Sequence, residues 1–438
     1  WYISQQEDTD SQLHFYDGKY RISDISDAEI ASWEKPSEFN LALPSVNNLL
    51  PESFAIKTQA FKEQKHPELS YDKNGVKIWR QASQQFAEQP KGLVEVYINT
   101  QTGLRDINST VLYSVWADLY NTQLSQLRTE AAIAGMNVNL SSSNGLVLSL
   151  SGFTDKQDTL LKQALAGFDD KISAQAFNQA IDRYQRDLLN QQKQFPYAQA
   201  FSEYSKLTRT GSFDTDALIK AAQSLTLADL QALKQSTLAN NNLRVFSYGN
   251  YNQKDIDAIA AELTAILPNN HTKSEFARSK AWLPQQGEAR VLHKDIDVAD
   301  VAVVDMTIHP TPGYKQKAQA AVLQGHFRTI AFDKMRTEEQ LAYAVGALAR
   351  PIEDYSGIGL FIQTPVKGPK EIQVRFDKFK KEYASELNAM SEETFAQLKN
   401  ATLVSLKEQP KNLSDEMSPL INDWYRENFD FDSKQKLK

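Results

Sequence analysis

The stretch Met335-Arg336-Thr337-Glu338-Glu339-Gln340-Leu341-Ala342-Tyr343 has an imperfect earlier copy, Leu127-Arg128-Thr129-Glu130-Ala131-Ala132-Ile133-Ala134-Gly135. The copies lie about 210 residues apart, far beyond a solenoid period, so the repeating unit is a whole domain. Both keep a bulky apolar residue followed by Arg-Thr-Glu and then diverge, with Tyr343 standing where the first copy has Gly135. A scaffold that retains a cation in both copies but a phenol in one points to site chemistry in the second copy.

The repeat extends in both directions. Val94-Glu95-Val96-Tyr97-Ile98 parallels the alternating run 301–308, and each is followed by a glycine, Gly103 and Gly313, before a helical pattern. Asn144-Gly145-Leu146-Val147-Leu148 parallels Ser356-Gly357-Ile358-Gly359-Leu360, two short apolar runs of strand character. Ser173 and Ser391 each precede a helical pattern as candidate N-caps. Phe195-Pro196 then parallels Gln409-Pro410, and Ser212-Phe213-Asp214 parallels Asn428-Phe429-Asp430. The conserved order establishes a duplication. Strands, long helices, a returning strand and further helices fit an α+β fold, each repeat a mainly antiparallel sheet with helices on one face.

Within this frame, residues 1–54 read as a polar connector carrying Pro36, Pro44 and Pro51, with one short helix near Asp27–Trp33. A first repeat spans 55–268, a linker covers Pro268 to Lys280, and a second repeat runs over 275–438. The second copy stops before it reproduces the last strand and helix of the first. With Trp1 in place of an initiator Met, the expectation is a piece of a longer polypeptide. Helices are expected over about 108–135, 158–168, 174–192 and 253–267, and strands at Gly75–Trp79 and Leu243–Tyr248.

Several functions are unfavourable. A net charge of -7 and a pI near 5.6 argue against a general nucleic-acid binder, which must neutralise phosphates. No apolar run approaches the roughly 18 residues of a membrane span. The absence of cysteine removes thiol nucleophiles, disulfides and Cys-ligated metals. The six histidines are His14, His66, His271, His293, His309 and His326, and none forms a ligand cluster with another in sequence.

The string 336–343 resembles the Arg-Thr-x-Glu-Gln-Leu-Gly-Tyr segment of the pitrilysin/insulin-degrading enzyme family, the M16 insulinase-type zinc metallopeptidases. Phe15-Tyr16-Asp17-Gly18-Lys19-Tyr20-Arg21-Ile22, the run from Pro44 to Phe54, Asn144-Gly145-Leu146, Gly357 through Gln363 and Pro410-Lys411-Asn412-Leu413-Ser414 carry the same resemblance along nearly the whole chain. It implies a four-domain peptidase of two bowl-shaped halves, with this chain as interdomain connector, third domain and most of the fourth. The family's zinc motif, His-x-x-Glu-His with a distal Glu, belongs to its first domain and is not in this sequence. Zinc is therefore implied for a full-length enzyme, with ligands in an N-terminal half, and none is expected here. The resemblance further implies peptide substrates, the N-terminal half of the same polypeptide as partner, and a periplasmic bacterial location. A non-catalytic scaffold of the same fold is the alternative.

The resemblance also assigns Arg336 and Tyr343 to the catalytic centre across the chamber, and Phe332 to the pocket for the residue after the scissile bond. Seven residues along a helix is nearly two turns, so Arg336 and Tyr343 would share a face. Amide hydrolysis builds negative charge on the former carbonyl oxygen, which a phenol O–H and a guanidinium can meet. A second reading stands beside it: an Arg-Thr-Glu-Glu cluster is commonly a solvated, salt-bridged helix face, and Arg128 suggests a structural arginine in both copies. Glu338 and Glu339 read as surface residues, and Ala342 replaces the family's usual glycine.

Overall fold

A computed structural model describes residues 8–35, 43, 45–58, 64–100, 106–143, 145–267 and 279–438. Gly103, Asn144 and most of the expected linker lie outside the described residues. The chain divides into two units, 1–48 and 49–438. In the first, β1 (Ser11–Gln12) and β2 (Lys19–Tyr20) pair antiparallel, and α1 (Asp27–Trp33) starts at a Ser26/Glu29 capping box.

In the second unit, β3 (Glu68–Lys73), β4 (Val76–Gln81) and β5 (Lys91–Asn99) are followed by α2 (Ile107–Gln123) and α3 (Ser125–Ile133). Next come β6 (Met136–Ser142), β7 (Gly145–Phe153), α4 (Gln157–Ala166), α5 (Ala174–Gln191), α6 (Pro196–Thr208), α7 (Thr215–Ser224), α8 (Leu227–Ala239), β8 (Asn242–Gly249) and α9 (Gln253–Ile266). The strands form one sheet in the order β3-β4-β8-β5-β7-β6, antiparallel except for the β4–β8 pair. Strand alternation sorts its side chains into two faces. Val94, Val96, Ile98, Leu146, Leu148, Leu150, Leu243 and Val245 join Val111, Val115, Trp116, Leu119, Leu161 and Ile256 of the covering helices in one core.

The second repeat comprises β9 (Val301–Ile308), α10 (Tyr314–Phe332), β10 (Ala344–Ala349), β11 (Gly357–Thr364), α11 (Pro369–Asn388), α12 (Glu392–Lys407), α13 (Leu413–Tyr425) and a short α14 (Ser433–Lys436). Its three strands lie in the order β10-β11-β9, antiparallel throughout, which repeats the β6-β7-β5 half of the first sheet. Ile358, Leu360, Ile362, Val345 and Ala347 pack beneath Phe327 and Ala331 of α10 and Ile372, Phe376 and Phe379 of α11. Ser173 and Ser391 cap α5 and α12 by accepting the Ala176 and Thr394 amides at 3.1 Å, as the sequence suggests. The helix expected over 108–135 is instead two helices broken at Leu124, followed by β6.

The second face of each sheet is covered by a helix from the other repeat. On the first sheet, Trp79, Tyr97, Val147, Phe246 and Tyr248 enclose Met417 and Trp424 of α13 and the later Phe431. Arg244 reaches across beneath the Trp424 and Tyr97 rings, 5.4 and 5.1 Å away, to meet Glu427 at 3.2 Å. The Glu416 carboxylate accepts the Gln84 and Gln85 amides at 2.9 Å and the Ser83 hydroxyl. On the second sheet, Tyr197 and Phe201 of α6 lie 5.9 and 5.5 Å from Phe361. Each repeat thus lends a helix to its neighbour.

Two tests follow from this exchange. Trp424 is fully buried, so Trp424→Ala should cost about 3–5 kcal/mol of unfolding free energy in denaturant titration; a loss under about 1 kcal/mol would contradict the interlocked packing. Glu95, on the same face, accepts Ser149 Oγ at 2.8 Å and Tyr425 Oη at 3.0 Å. Burial pushes its carboxyl pKa up, an effect those two hydrogen bonds oppose. The folded state therefore holds a proton that the unfolded state releases first, so stability falls as pH climbs through the ordinary glutamate range and the loss is complete above the raised folded value. Glu95→Gln should match the wild type near about pH 4 and exceed it near about pH 7; an advantage confined to the acid side would reverse the assignment.

Candidate functional site

The C-terminal end of α10 runs directly into a π-helical turn, Asp333–Glu338. Such wide turns recur at functional positions because they redirect side chains. Glu339 N donates to Lys334 O at 3.0 Å and Leu341 N to Met335 O at 2.9 Å, and between them Gln340 adopts a left-handed conformation at φ 50°. The chain then leaves the helix and enters β10 at Ala344. Arg336 and Tyr343 therefore do not share a helical face. The helix ends at Glu338, and Tyr343 precedes a strand. Ala344-Val345-Gly346-Ala347-Leu348-Ala349 is rich in helix-forming alanine and leucine, and its pairing with β11 overrides that preference.

The two residues nonetheless meet. Arg336 Nη1 donates to the Tyr343 carbonyl at 2.6 Å, and its guanidinium lies 5.1 Å from the Phe332 ring. All three expected site residues thus form one exposed cluster, with Phe332 40% and Tyr343 52% accessible. The turn linking them is held at separate points. Thr364 Oγ1 donates to Leu341 O at 2.5 Å, and Leu341 itself is buried. Arg375 of α11 grips the Glu339 carboxylate in bidentate fashion, Nε to Oε2 at 2.8 Å and Nη2 to Oε1 at 2.5 Å. That grip holds the Glu339 carboxyl below its usual range.

The Tyr343 hydroxyl donates to Asp300 Oδ2 at 2.6 Å. Gln363 of β11, 1% exposed, donates through Nε2 to the same Asp300 oxygen at 2.9 Å and also to the phenol oxygen. Gln363 Oε1 accepts the Tyr197 amide at the start of α6 at 3.3 Å. The hydrogen bond from Tyr343, reinforced by that from Gln363, lowers the Asp300 pKa, and the same bond raises that of Tyr343.

The first repeat shows what was changed. Arg128 Nε donates to Val138 O at 3.2 Å, so both copies use the arginine to tie the helix end to backbone beyond it. Gly135 is left-handed at φ 71°, and a Cβ there would lie 2.8 Å from the Phe153 ring, so a side chain would strain the backbone and push that ring aside. In the second repeat the left-handed residue is Gln340, three positions earlier by alignment, which frees position 343 for a phenol.

Asp300, Gln363, Thr364 and Arg375 complete the cluster and were not singled out by sequence reasoning. The local cue is the polar pair Gln363-Thr364 that closes the otherwise apolar strand β11. An apolar hollow of about 260 Å3 between α10 and α12, lined by Ala321, Val322, Leu403 and Leu406 among others, includes none of Phe332, Arg336 and Tyr343. Among the described residues no group of three or more His, Asp and Glu side chains could hold a metal ion, and no helix is long and apolar enough to cross a membrane.

Comparison with known proteins bears on this arrangement. The family model for the middle or third domain of peptidase M16 matches residues 1–221, and a model for the C-terminal lobe domain 4 of PqqF-like PQQ synthase proteins matches 322–421. Protease 3 of Escherichia coli (strain K12) is 26% identical over 441 aligned residues, covering 100% of this chain and 45% of the relative. The A-factor-processing enzyme of Saccharomyces cerevisiae is 24% identical over 99% of this chain and 43% of its own length. The crystal structure of pitrilysin superposes with a TM-score of 0.88 at 25% identity, over 100% of this chain and 47% of that one. The chain spans about half the length of the curated relatives it matches. Since the M16 middle-domain model covers half of its residues and a pitrilysin-like fold covers all of it, the chain belongs to the M16 peptidase family.

Proposed function

We propose that the chain is the C-terminal, non-zinc-binding half of a zinc metalloendopeptidase that degrades peptides and small polypeptides. In this reading residues 1–54 connect the two halves, 55–268 form the third domain and 275–438 contribute to the fourth. The observation that carries it is a half-exposed phenol, Tyr343, held at a fixed position by a cation, Arg336, beside an exposed ring, Phe332. This reading assigns the metal and the base that activates water to the N-terminal half; among the described residues no group of three or more His, Asp and Glu side chains could hold a metal ion.

The chain's own residues then have defined tasks. Amide hydrolysis places negative charge on the former carbonyl oxygen, and a preorganised donor that meets this charge lowers the barrier. Tyr343 supplies the O–H. Arg336 sets the Tyr343 backbone through its carbonyl and adds a permanent positive charge nearby. Phe332, beneath the guanidinium, offers an apolar wall to the substrate residue after the scissile bond. The relation to bacterial Protease 3 supports peptide substrates. A periplasmic location is part of the same proposal, in keeping with a fold likeness to the periplasmic protease PqqL from Escherichia coli.

A non-catalytic scaffold is the second reading. It is favoured by the shared habit of Arg128 and Arg336, each of which donates to a backbone carbonyl and so has a structural role in its own copy. The sequence encoded upstream of Trp1 separates the two: a His-x-x-Glu-His motif with a later Glu supports the enzyme, and its absence the scaffold.

Two measurements test the enzymatic reading. In the full-length polypeptide Tyr343→Phe should lower kcat by about ten- to a thousandfold, the range for one lost oxyanion donor, with little change in KM; an unaltered kcat would remove Tyr343 from the mechanism. The chain by itself, after dialysis, should retain no stoichiometric zinc by elemental analysis and cleave no peptide. Retained zinc with chelator-sensitive cleavage would overturn the division of labour.

A further inference from the structure

A phenol carries a single proton, and Tyr343 already gives it to Asp300. That bond joins an O–H to an ionised carboxylate at 2.6 Å, the strong, charge-assisted class. The carboxylate is not adrift. Gln363, buried in β11 and fixed in turn by the Tyr197 amide, donates both to Asp300 and to the phenol oxygen. In this geometry Tyr343 can accept a hydrogen bond but has none left to donate to a substrate oxygen.

We propose that Asp300 is a positioning residue that latches Tyr343 at rest and must surrender the phenol proton to the substrate during turnover. This rests on the reading of Tyr343 as an oxyanion donor. In the exchange no covalent bond changes. The O–H turns from the Asp300 carboxylate to the substrate oxygen, while Asp300 keeps the Gln363 amide and takes up water in place of the phenol.

Two physical effects give the latch the same sign. The carboxylate competes for the proton, so each turnover gives up a charge-assisted bond before the donor is available. Its negative charge also lies one hydrogen bond from the phenol oxygen, where it opposes the charge developing on any substrate oxygen that the phenol contacts. Neutralising Asp300 relieves both. Of the other charged or titratable groups at the site, Arg336 is bonded to the Tyr343 carbonyl, Arg375 and Glu339 are paired with each other, and Tyr197 holds Gln363 through its amide. None of them takes the place of the carboxylate as acceptor of the phenol O–H.

Asp300→Asn in the full-length polypeptide should raise kcat by about two- to tenfold with KM nearly constant, since the resting contact falls from a charge-assisted bond to a neutral one while the donor remains. Asp300→Ala should move kcat in the same direction, which separates loss of the latch from any peculiarity of the asparagine amide. The gain should vanish when Tyr343 is already Phe. In parallel, fluorotyrosine placed at position 343 of the full-length polypeptide should ionise at lower pH in Asp300→Asn than in wild type, followed by fluorine NMR.

A fall in kcat for Asp300→Asn would overturn the latch and make the carboxylate a productive support of the phenol. An unchanged kcat, a gain that persists in the Tyr343→Phe background, or a fluorotyrosine ionisation that does not move would each overturn it too. The reading beneath it fails separately, when Tyr343→Phe alone leaves kcat untouched.

Discussion

Two-sided burial is the constraint on which this architecture depends. A strand whose alternate residues are apolar on both faces needs a layer above and a layer below. Each repeat makes helices enough for one face of its sheet. Trp79, Tyr97, Phe246 and Tyr248 on the first sheet, and Phe361 on the second, are covered by α13 with the segment after it and by α6, which cross to the neighbouring repeat. The exchange reaches the candidate site. The start of α6 delivers the Tyr197 amide to Gln363, and Gln363 orients both Asp300 and the Tyr343 phenol. A side chain of the second repeat is thus placed through a backbone group of the first.

The duplication also shows how a site is made from a structural joint. In both copies an arginine ties a helix end to the backbone beyond it. The first copy closes the joint with a left-handed glycine packed against the Phe153 ring. The second turns earlier, at Gln340, with Arg375 gripping Glu339 and Thr364 gripping Leu341, and so reaches the strand with a phenol at its threshold. The arginine is structural in both, and in the second its structural task is to hold the backbone of a reactive-looking side chain. The structural and functional readings of Arg336 are therefore compatible.

Much of this was legible in the chain because it is local or periodic. The alternation of 94–98 and 301–308, the capping serines and the repeated Arg-Thr-Glu report neighbours a few residues away. What escaped is non-local. Ala344–Ala349 has helix-like composition and becomes a strand by pairing with β11. The Tyr343 hydroxyl finds Asp300 at a separation of 43 residues, and Gln363 finds the Tyr197 amide across 166. No window of sequence contains those pairs. The exchange of α6 and α13 escaped for the same reason, since an amphipathic helix does not announce which sheet it will cover. Met136-Asn137-Val138-Asn139-Leu140 is a different case: its alternation is visible in the sequence, yet it lies just beyond the helix expected over about 108–135 and is not among the expected strands.

The central claim is that the Tyr343 phenol meets the oxygen of the bond being cleaved. A crystal structure of the full-length polypeptide, inactivated in its N-terminal half and holding an uncut peptide, tests it most directly. The account predicts the Tyr343 oxygen within about 3 Å of the scissile carbonyl oxygen, with the bond to Asp300 broken. A bound peptide whose scissile carbonyl lies away from a phenol still seated on Asp300 would contradict it.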